Sequence, residues 1–139
     1  MYVREVMTAN VNYVAPDARL PVVARLMRDE DIGSVPVAEN DRLIGMITDR
    51  DLVVRALADG LDLSAASARE VMSPKILYCI DDQSVDDVLN NMADNQVRRL
   101  PVINRQKRLV GMVSLGDLSR AADRRAGNAL KQITQPDAA

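Results

Sequence analysis

The stretch LIGMITDRDL at residues 43–52 decides the fold, because it returns near the end of the chain as LVGMVSLGDL at residues 109–118. A second stretch is also duplicated: REVMT at residues 4–8 returns as REVMS at residues 69–73. The offset is 66 residues for the first pair and 65 for the second, so one residue has been inserted between them. A repeat of this length in two copies predicts a pseudo-symmetric pair of units with two equivalent clefts.

Each copy predicts the same helices, and the second copy shows them most clearly. Ser67 to Glu70 forms a capping-box pattern that opens a short helix, a strand is expected over residues 76–80, and Asp82 or Ser84 caps the next helix. That helix and its counterpart in copy one carry apolar residues at i, i+3, i+4 and i+7, which predicts a buried stripe on each. The stripes are Leu20, Val23, Ala24 and Met27, and Val85, Val88, Leu89 and Met92.

A hairpin follows in each copy. Residues 35–37 and 43–47 form its two strands in copy one, and residues 100–103 and 109–113 form them in copy two. A proline in the first strand of each hairpin cannot donate to a ladder, which suits an edge or a position facing a cleft. A further helix begins near Arg50 and near Gly116. Each unit is therefore β-α-β-β-α, and the fold class is α+β.

Composition excludes several classes of protein. The chain has 139 residues, of which 47% are hydrophobic and 27% charged, so it can bury a core, and its net charge of −2 provides no basic field for a large nucleic-acid footprint. No stretch approaches the roughly 18 apolar residues that span a bilayer. Cys79 is the only cysteine and there is no histidine, which excludes internal disulfides, imidazole-based catalytic triads and the common transition-metal sites. A reducing cytoplasm is the expected location.

The pattern Gly-x-x-Thr/Ser-x-x-Asp is the sharpest motif that both copies share. A hydroxyl followed three residues later by an acid is a helix cap, and this is one interpretation. The other is a nucleotide site, in which the hydroxyl and a helix N-terminus bind phosphate, the carboxylate accepts from two ribose hydroxyls, and the glycine permits close approach. The glycine has a structural alternative as well, namely a tight crossing of the sheet. The residues are Gly45, Thr48 and Asp51, and Gly111, Ser114 and Asp117.

Arg98 and Arg99 precede the second hairpin, where copy one has Gly33 and Ser34. This asymmetry favours phosphate binding in one cleft, which we expect to be the cleft that bears Ser114 and Asp117. The alternative is that the two arginines are simply solvated. The sequence contains no glycine-rich Walker or dinucleotide fingerprint.

These duplicated motifs, together with SVPV at residues 34–37 and RLPV at residues 99–102, resemble the cystathionine beta-synthase (CBS) domain in its tandem form, the Bateman module. The resemblance covers residues 2–122 and is closest to the small stand-alone bacterial pairs of the hypoxic-response type. It places repeat 1 at residues 1–59, a linker at 60–66, repeat 2 at 67–122, and an accessory helix and tail at 123–139, with the helix interrupted at Gly127.

The resemblance implies a regulatory ligand sensor and not an enzyme, with no catalytic residue, no metal and no obligatory cofactor. Its candidate ligands are AMP, ADP, ATP and S-adenosylmethionine. By the family pattern Asp51 and Asp117 hold ribose, and Thr48, Ser114, Arg98 and Arg99 approach phosphate. Adenine would lie against Val11 or Val14 in one cleft and against Ile76 in the other.

The resemblance also implies a homodimer, and the apolar run at residues 52–57 supports it because it exceeds what one buried stripe needs. An unidentified regulated protein would be a further partner. The alternative function is a ligand-free module for dimerisation and protein interaction, in which Asp51 and Asp117 are only helix caps.

Overall fold

The computed structural model describes residues 1–134, with the side chains of the last helix described as far as Arg124. The elements follow the predicted order in both repeats, and a 3-10 turn at Val3–Glu5 precedes the first strand. The helices and strands are β1 (Thr8–Ala9), α1 (Leu20–Glu30), β2 (Ser34–Glu39), β3 (Arg42–Thr48), α2 (Asp49–Asp51) continued by a π-helical segment (Leu52–Leu57), α3 (Ala68–Val71), β4 (Cys79–Ile80), α4 (Val85–Asn95), β5 (Arg99–Ile103), β6 (Leu109–Ser114) and α5 (Leu115–Thr134).

Two small sheets carry the two repeats. One has the strand order β1-β6-β5-β4, with β4 parallel to β5 and the other neighbours antiparallel. The other contains the hairpin β2-β3, flanked by single-residue bridges from Val14 to Val37 and from Ser73 to Met46. The second sheet is therefore a shorter version of the first, since Val14 takes the place of β4 and Ser73 takes the place of β1.

The leading segment of each repeat joins the sheet of the other repeat. Thr8 and Ala9 at the start of the chain pair with Met112 and Gly111 on β6. In return, Ser73 both donates to and accepts from the backbone of Met46 on β3. The duplicated segments REVMT and REVMS are thus exchanged between the repeats, and this exchange ties them into one body.

Local capping explains where the helices begin. The hydroxyl of Ser84 accepts from the backbone N–H of Asp87 at 3.0 Å, so Ser84 is the cap of α4. The backbone N–H of Ser67 donates to Glu70 at 2.6 Å, as its capping-box pattern predicts. α1 and α4 end at Asp31 and Gln96, which take the left-handed conformation that glycine usually takes at the end of a helix.

Each repeat has its own hydrophobic core, and each core contains residues from the other repeat. The apolar stripes predicted for α1 and α4 are buried at their first, second and last positions. Ala68 and Val71 of the second leading segment pack into the first core, and Val3 packs into the second. These three side chains have no exposed surface, so the cores of both repeats depend on the exchange.

Two sequence predictions differ from the structure. The strand expected over residues 76–80 is reduced to Cys79–Ile80, because only those residues have ladder partners on β5. The helix expected to be interrupted at Gly127 is instead the uninterrupted continuation of α5. A single internal glycine costs a helix only about 1 kcal/mol, which a long helix tolerates. Within residues 1–134 no helix is long and apolar enough to cross a membrane.

Candidate functional site

The shared Thr/Ser-x-x-Asp motif forms a complete capping box in both repeats. The backbone N–H of Thr48 donates to Asp51 Oδ2 at 2.9 Å, and Thr48 Oγ1 accepts from the N–H of Asp51 at 3.1 Å. Ser114 and Asp117 repeat this geometry at 2.9 and 3.0 Å. Both carboxylates keep a second oxygen, which faces Arg55 Nε at 3.8 Å in repeat 1 and Arg120 at 2.6 Å in repeat 2. The capping interpretation is therefore confirmed, and any ribose contact would have to use the second oxygen.

The motif glycines lie where the exchanged segments cross the return strands. A Cβ on Gly111 would lie 2.6 Å from the carbonyl oxygen of Thr8, and a Cβ on Gly45 would lie 2.6 Å from Met72 Sδ. These distances are too short for a side chain. Of the two explanations for the glycines, the structure supports the tight crossing, because protein atoms occupy the space that a ligand would need.

Two pseudo-symmetric cavities lie between the repeats, and the larger is the basic cleft. It has a volume of about 360 Å³, and its walls include three cationic side chains, Lys75, Arg98 and Arg99. Met46 and Thr48 on the return strand of repeat 1 also line it. No carboxylate is among the described residues that line it, although the Asp49 carboxylate lies beside the lining residue Gly33, with Oδ2 3.2 Å from where a Cβ on Gly33 would be. The lining itself therefore carries three positive charges.

The smaller cavity, the amide cleft, has the same position in the other half of the molecule. Its volume is about 220 Å³, and Asn10, Asn12, Glu30 and Met112 are among the residues that line it. Asn12 Nδ2 donates to Glu30 Oε1 at 2.7 Å. Lys75 and Asn10 are equivalent positions of the two repeats, so the two clefts differ in charge at this position.

Arg98 and Arg99 share a cavity with the motif of repeat 1 and not with the expected motif of repeat 2. We expected Arg98 and Arg99 to line the cleft that bears Ser114 and Asp117, whereas the cavity that holds both arginines contains Thr48. The exchange of leading segments contributes to this cavity, because Ser73 hydrogen-bonds Met46 on β3 and so brings Lys75 of repeat 2 close to the return strand of repeat 1. Arg99 remains the strand partner of Ser114 on the adjacent strand β6.

The residues expected to contact adenine separate in the structure. Val11 lines the amide cleft, as expected for one of the two clefts. Val14 is buried in the first core. Ile76 does not line the basic cleft: it lines a different cavity, of about 280 Å³, with Tyr78 and Lys107, while its neighbours Lys75 and Leu77 line the cleft. Successive residues of an extended segment point to opposite sides, so the alternation places Leu77 where Ile76 was expected.

Sequence reasoning missed Lys75, Met46, Met112 and the two asparagines of the amide cleft. The signal was available, because residues 75 and 10 are equivalent positions at the start of each extended segment. When the two repeats are aligned, Lys75 falls at the position of Asn10. The packing of the exchanged segments, which turns those positions toward the clefts, has no comparable signal.

Cys79 takes no part in either cleft. Its side chain is buried in the second core, and burial raises the pKa of the thiol to about 12, because the thiolate would lose its hydration there. A group with this pKa is a neutral thiol at physiological pH. Cys79 is therefore a core residue, as its apolar sequence context predicts.

One helical face of repeat 1 is unusually apolar. Val53 is 56% exposed and Leu57 is 60% exposed, and both line a shallow groove of about 220 Å³ with Leu20 and Leu63. The equivalent positions of Val53 and Leu57 in repeat 2 are Ser119 and Asp123. At these two positions the surface is therefore apolar in repeat 1 and polar in repeat 2.

Comparison with known proteins agrees with this architecture. The profile of the CBS domain family matches residues 3–57 and 68–124. Hypoxic response protein 1 of Mycobacterium tuberculosis is 43% identical over 118 residues, which cover 84% of this chain and 82% of that protein. The crystal structure of hypoxic response protein I with two coordinated zinc ions has a TM-score of 0.80 at 42% identity, covering 86% of this chain and 98% of that chain.

A more distant structure shares the fold. CBSX2, a CBS-pair protein of Arabidopsis thaliana, was crystallised in complex with AMP; that structure has a TM-score of 0.79 at 23% identity and covers 90% of this chain and 98% of the other. The zinc ions and the AMP belong to those proteins. Among the residues that the structure describes, no group of three or more His, Cys, Asp or Glu side chains is placed so that it could hold a metal ion.

Proposed function

The chain belongs to the CBS domain family, and from this premise we propose that it is a regulatory module that binds an adenosine-containing ligand in its basic cleft. The observation that carries the proposal is the convergence of Lys75, Arg98 and Arg99 on a cavity between the two repeats. Three cations without a lining carboxylate suit a phosphate group, which forms charge-assisted hydrogen bonds with guanidinium donors. AMP, ADP and ATP are the candidate ligands, with S-adenosylmethionine as the candidate without phosphate.

The remaining walls of the basic cleft suit a nucleoside. Met46, Leu77 and Val97 offer an apolar surface on which an adenine ring can pack. Thr48 lines the cleft, and Asp51 follows it by one helical turn with its side chain 17% exposed. We infer that the second oxygen of Asp51 accepts from a ribose hydroxyl, in exchange for its long contact with Arg55. The crystallisation of a fold neighbour with AMP supports the choice of ligand.

Calorimetric titration tests the ligand. AMP, ADP, ATP and S-adenosylmethionine are titrated into the protein, with GMP as the control for base selectivity. Replacing Arg98 by alanine should weaken binding of the phosphate-bearing ligands about ten- to a hundred-fold. This factor corresponds to the loss of one charged hydrogen bond, which contributes about 1.5–3 kcal/mol. Arg28→Ala is the matched control, because Arg28 lies on the exposed surface of α1 paired with Asp29. Absence of binding by every adenosine compound at millimolar concentration would overturn the proposal.

A second candidate function is a ligand-free module for dimerisation and protein docking. The capping boxes favour it, because both Asp51 and Asp117 already satisfy a backbone N–H and so have a structural purpose without any ligand. The exposed apolar face of repeat 1 fits the same role. Both candidates make the protein regulatory and not catalytic, and both place a regulated protein among its partners. Location in the cytoplasm stays a prediction.

A further inference from the structure

Ser34 and Arg99 lie at the boundary between the two clefts. Each of them lines both the basic cleft and the amide cleft. They are also equivalent positions of the two repeats, each beginning the first strand of its hairpin. A pair of equivalent residues that borders both cavities lies beside the pseudo-two-fold axis. The molecule therefore has one guanidinium at a place from which both clefts can be reached, and a serine at the symmetric place.

The guanidinium of Arg99 is available to a ligand. Neither Arg98 nor Arg99 takes part in an ion pair within the part of the chain that the structure describes. The amide cleft has no other cation on its described walls and contains the carboxylate of Glu30. An anionic ligand in that cleft would thus depend on Arg99, whereas the basic cleft adds Lys75 and Arg98 to it.

We propose that Arg99 couples the two clefts, so that an anionic ligand bound in the basic cleft lowers the affinity of the amide cleft for a second anionic ligand. The proposal rests on the proposed function, because it requires a phosphate-bearing ligand in the basic cleft. A guanidinium that forks onto one phosphate cannot hold the same geometry toward a second phosphate in the neighbouring cavity. By linkage the effect is reciprocal: an anion in the amide cleft weakens binding in the basic cleft by the same factor.

The coupling makes the two clefts differ in ligand chemistry. Once Arg99 turns to the basic cleft, the amide cleft presents Asn10, Asn12 and Glu30. Amide groups and one carboxylate suit an uncharged or cationic ligand better than a phosphate. Adenosine, which has no phosphate, should therefore enter the amide cleft independently of the state of the basic cleft.

Methionine methyl groups report on each cleft separately. Met46 lines the basic cleft and Met112 lines the amide cleft, so their 13C-methyl signals follow the two occupancies in one NMR titration with AMP. The signals are assigned with Met→Leu variants, which conserve volume. In the parent we expect Met46 to shift first. The double variant Lys75→Ala/Arg98→Ala weakens AMP binding in the basic cleft and leaves Arg99 in place. In this variant the AMP concentration that half-saturates the Met112 signal should be at least about five-fold lower than in the parent.

Arg99→Gln separates the shared side chain from simple repulsion between two bound phosphates. In the Arg99→Gln background the amide cleft binds AMP more weakly, through its nucleoside part. If repulsion between two phosphates caused the coupling, the Lys75→Ala/Arg98→Ala change would still lower the Met112 midpoint in this background. If the shared guanidinium causes it, the midpoint should stay unchanged. A second variant, Ser34→Arg, supplies the symmetric guanidinium and should reduce the coupling. Equal Met112 midpoints in the parent and the double variant, or an unchanged difference in the Arg99→Gln background, would overturn the coupling and leave the proposed function intact. If neither methyl signal responds to AMP in the parent, both proposals fail.

Discussion

The two motif aspartates have the same local structure and different surroundings. Asp51 and Asp117 both accept from the backbone of the residue three positions earlier and both carry a nearby arginine. Only Asp51 follows a threonine that lines the basic cleft. A substitution that preserves the cap but moves the carboxylate can therefore separate structure from binding, with Asp117 as the built-in control.

Asp51→Glu should leave stability nearly unchanged and weaken AMP binding. Glutamate satisfies a capping box, so the free energy of unfolding in urea should stay within roughly 0.5 kcal/mol for both Asp51→Glu and Asp117→Glu. If Asp51 holds ribose, the added methylene displaces the carboxylate and affinity in the basic cleft falls about ten- to a hundred-fold. Asp117→Glu should bind AMP there like the parent. Unchanged affinity in Asp51→Glu would show that this carboxylate is only a cap.

At the scale of elements, the exchanged leading segments hold the two repeats together. β1 adds to β6 and Ser73 adds to β3, and a motif glycine lies under each crossing. The two crossings are not equally tight. The nearest atom to a Cβ on Gly111 is the backbone oxygen of Thr8, whereas for Gly45 it is the sulfur of the flexible Met72 side chain.

Gly111→Ala should therefore destabilise the protein more than Gly45→Ala. Overpacking against backbone costs about 1–3 kcal/mol, and a methionine side chain can move aside for less. Gly116→Ala is the control, because its Cβ would meet nothing closer than 3.4 Å and it lies in α5, where alanine is the better helix former. We expect Gly116→Ala to leave the free energy of unfolding unchanged or to raise it by up to about 1 kcal/mol. Urea denaturation of the three variants gives the ranking; equal losses for Gly111→Ala and Gly45→Ala would contradict it.

At the scale of the whole molecule, the two halves have one architecture and different surfaces. The apolar face of Val53 and Leu57 on repeat 1 has the polar counterparts Ser119 and Asp123 on repeat 2. Exposed apolar area of this kind marks an association surface. We infer that a second copy of the chain covers it, which agrees with the homodimer that the family resemblance implies.

If a second copy covers this face, Val53→Lys should keep the chain monomeric. A lysine in the centre of an apolar interface would be buried without a partner, which opposes association strongly. Sedimentation at high micromolar concentration should then give a mass close to the 15.3 kDa of one chain, against twice that mass for the parent. Ser119→Lys, the same change at the equivalent position of repeat 2, should leave the dimer intact. A parent protein that sediments as a monomer at this concentration would exclude the interface.

The sequence by itself determined the duplicated α+β architecture, the hairpins, the buried stripes of α1 and α4 and the capping boxes. The capping boxes and stripes depend on residues within about seven positions of one another, and each hairpin on two strands joined by a short turn. Each of these patterns occurs in both copies. The tertiary structure alone decided which segment packs on which repeat. REVMT and REVMS are nearly identical, so either could pack on either return strand without changing any local pattern. The tertiary structure also decided that Arg98 and Thr48 line one cleft, that Leu77 and not Ile76 lines it, and that Arg99 borders both cavities.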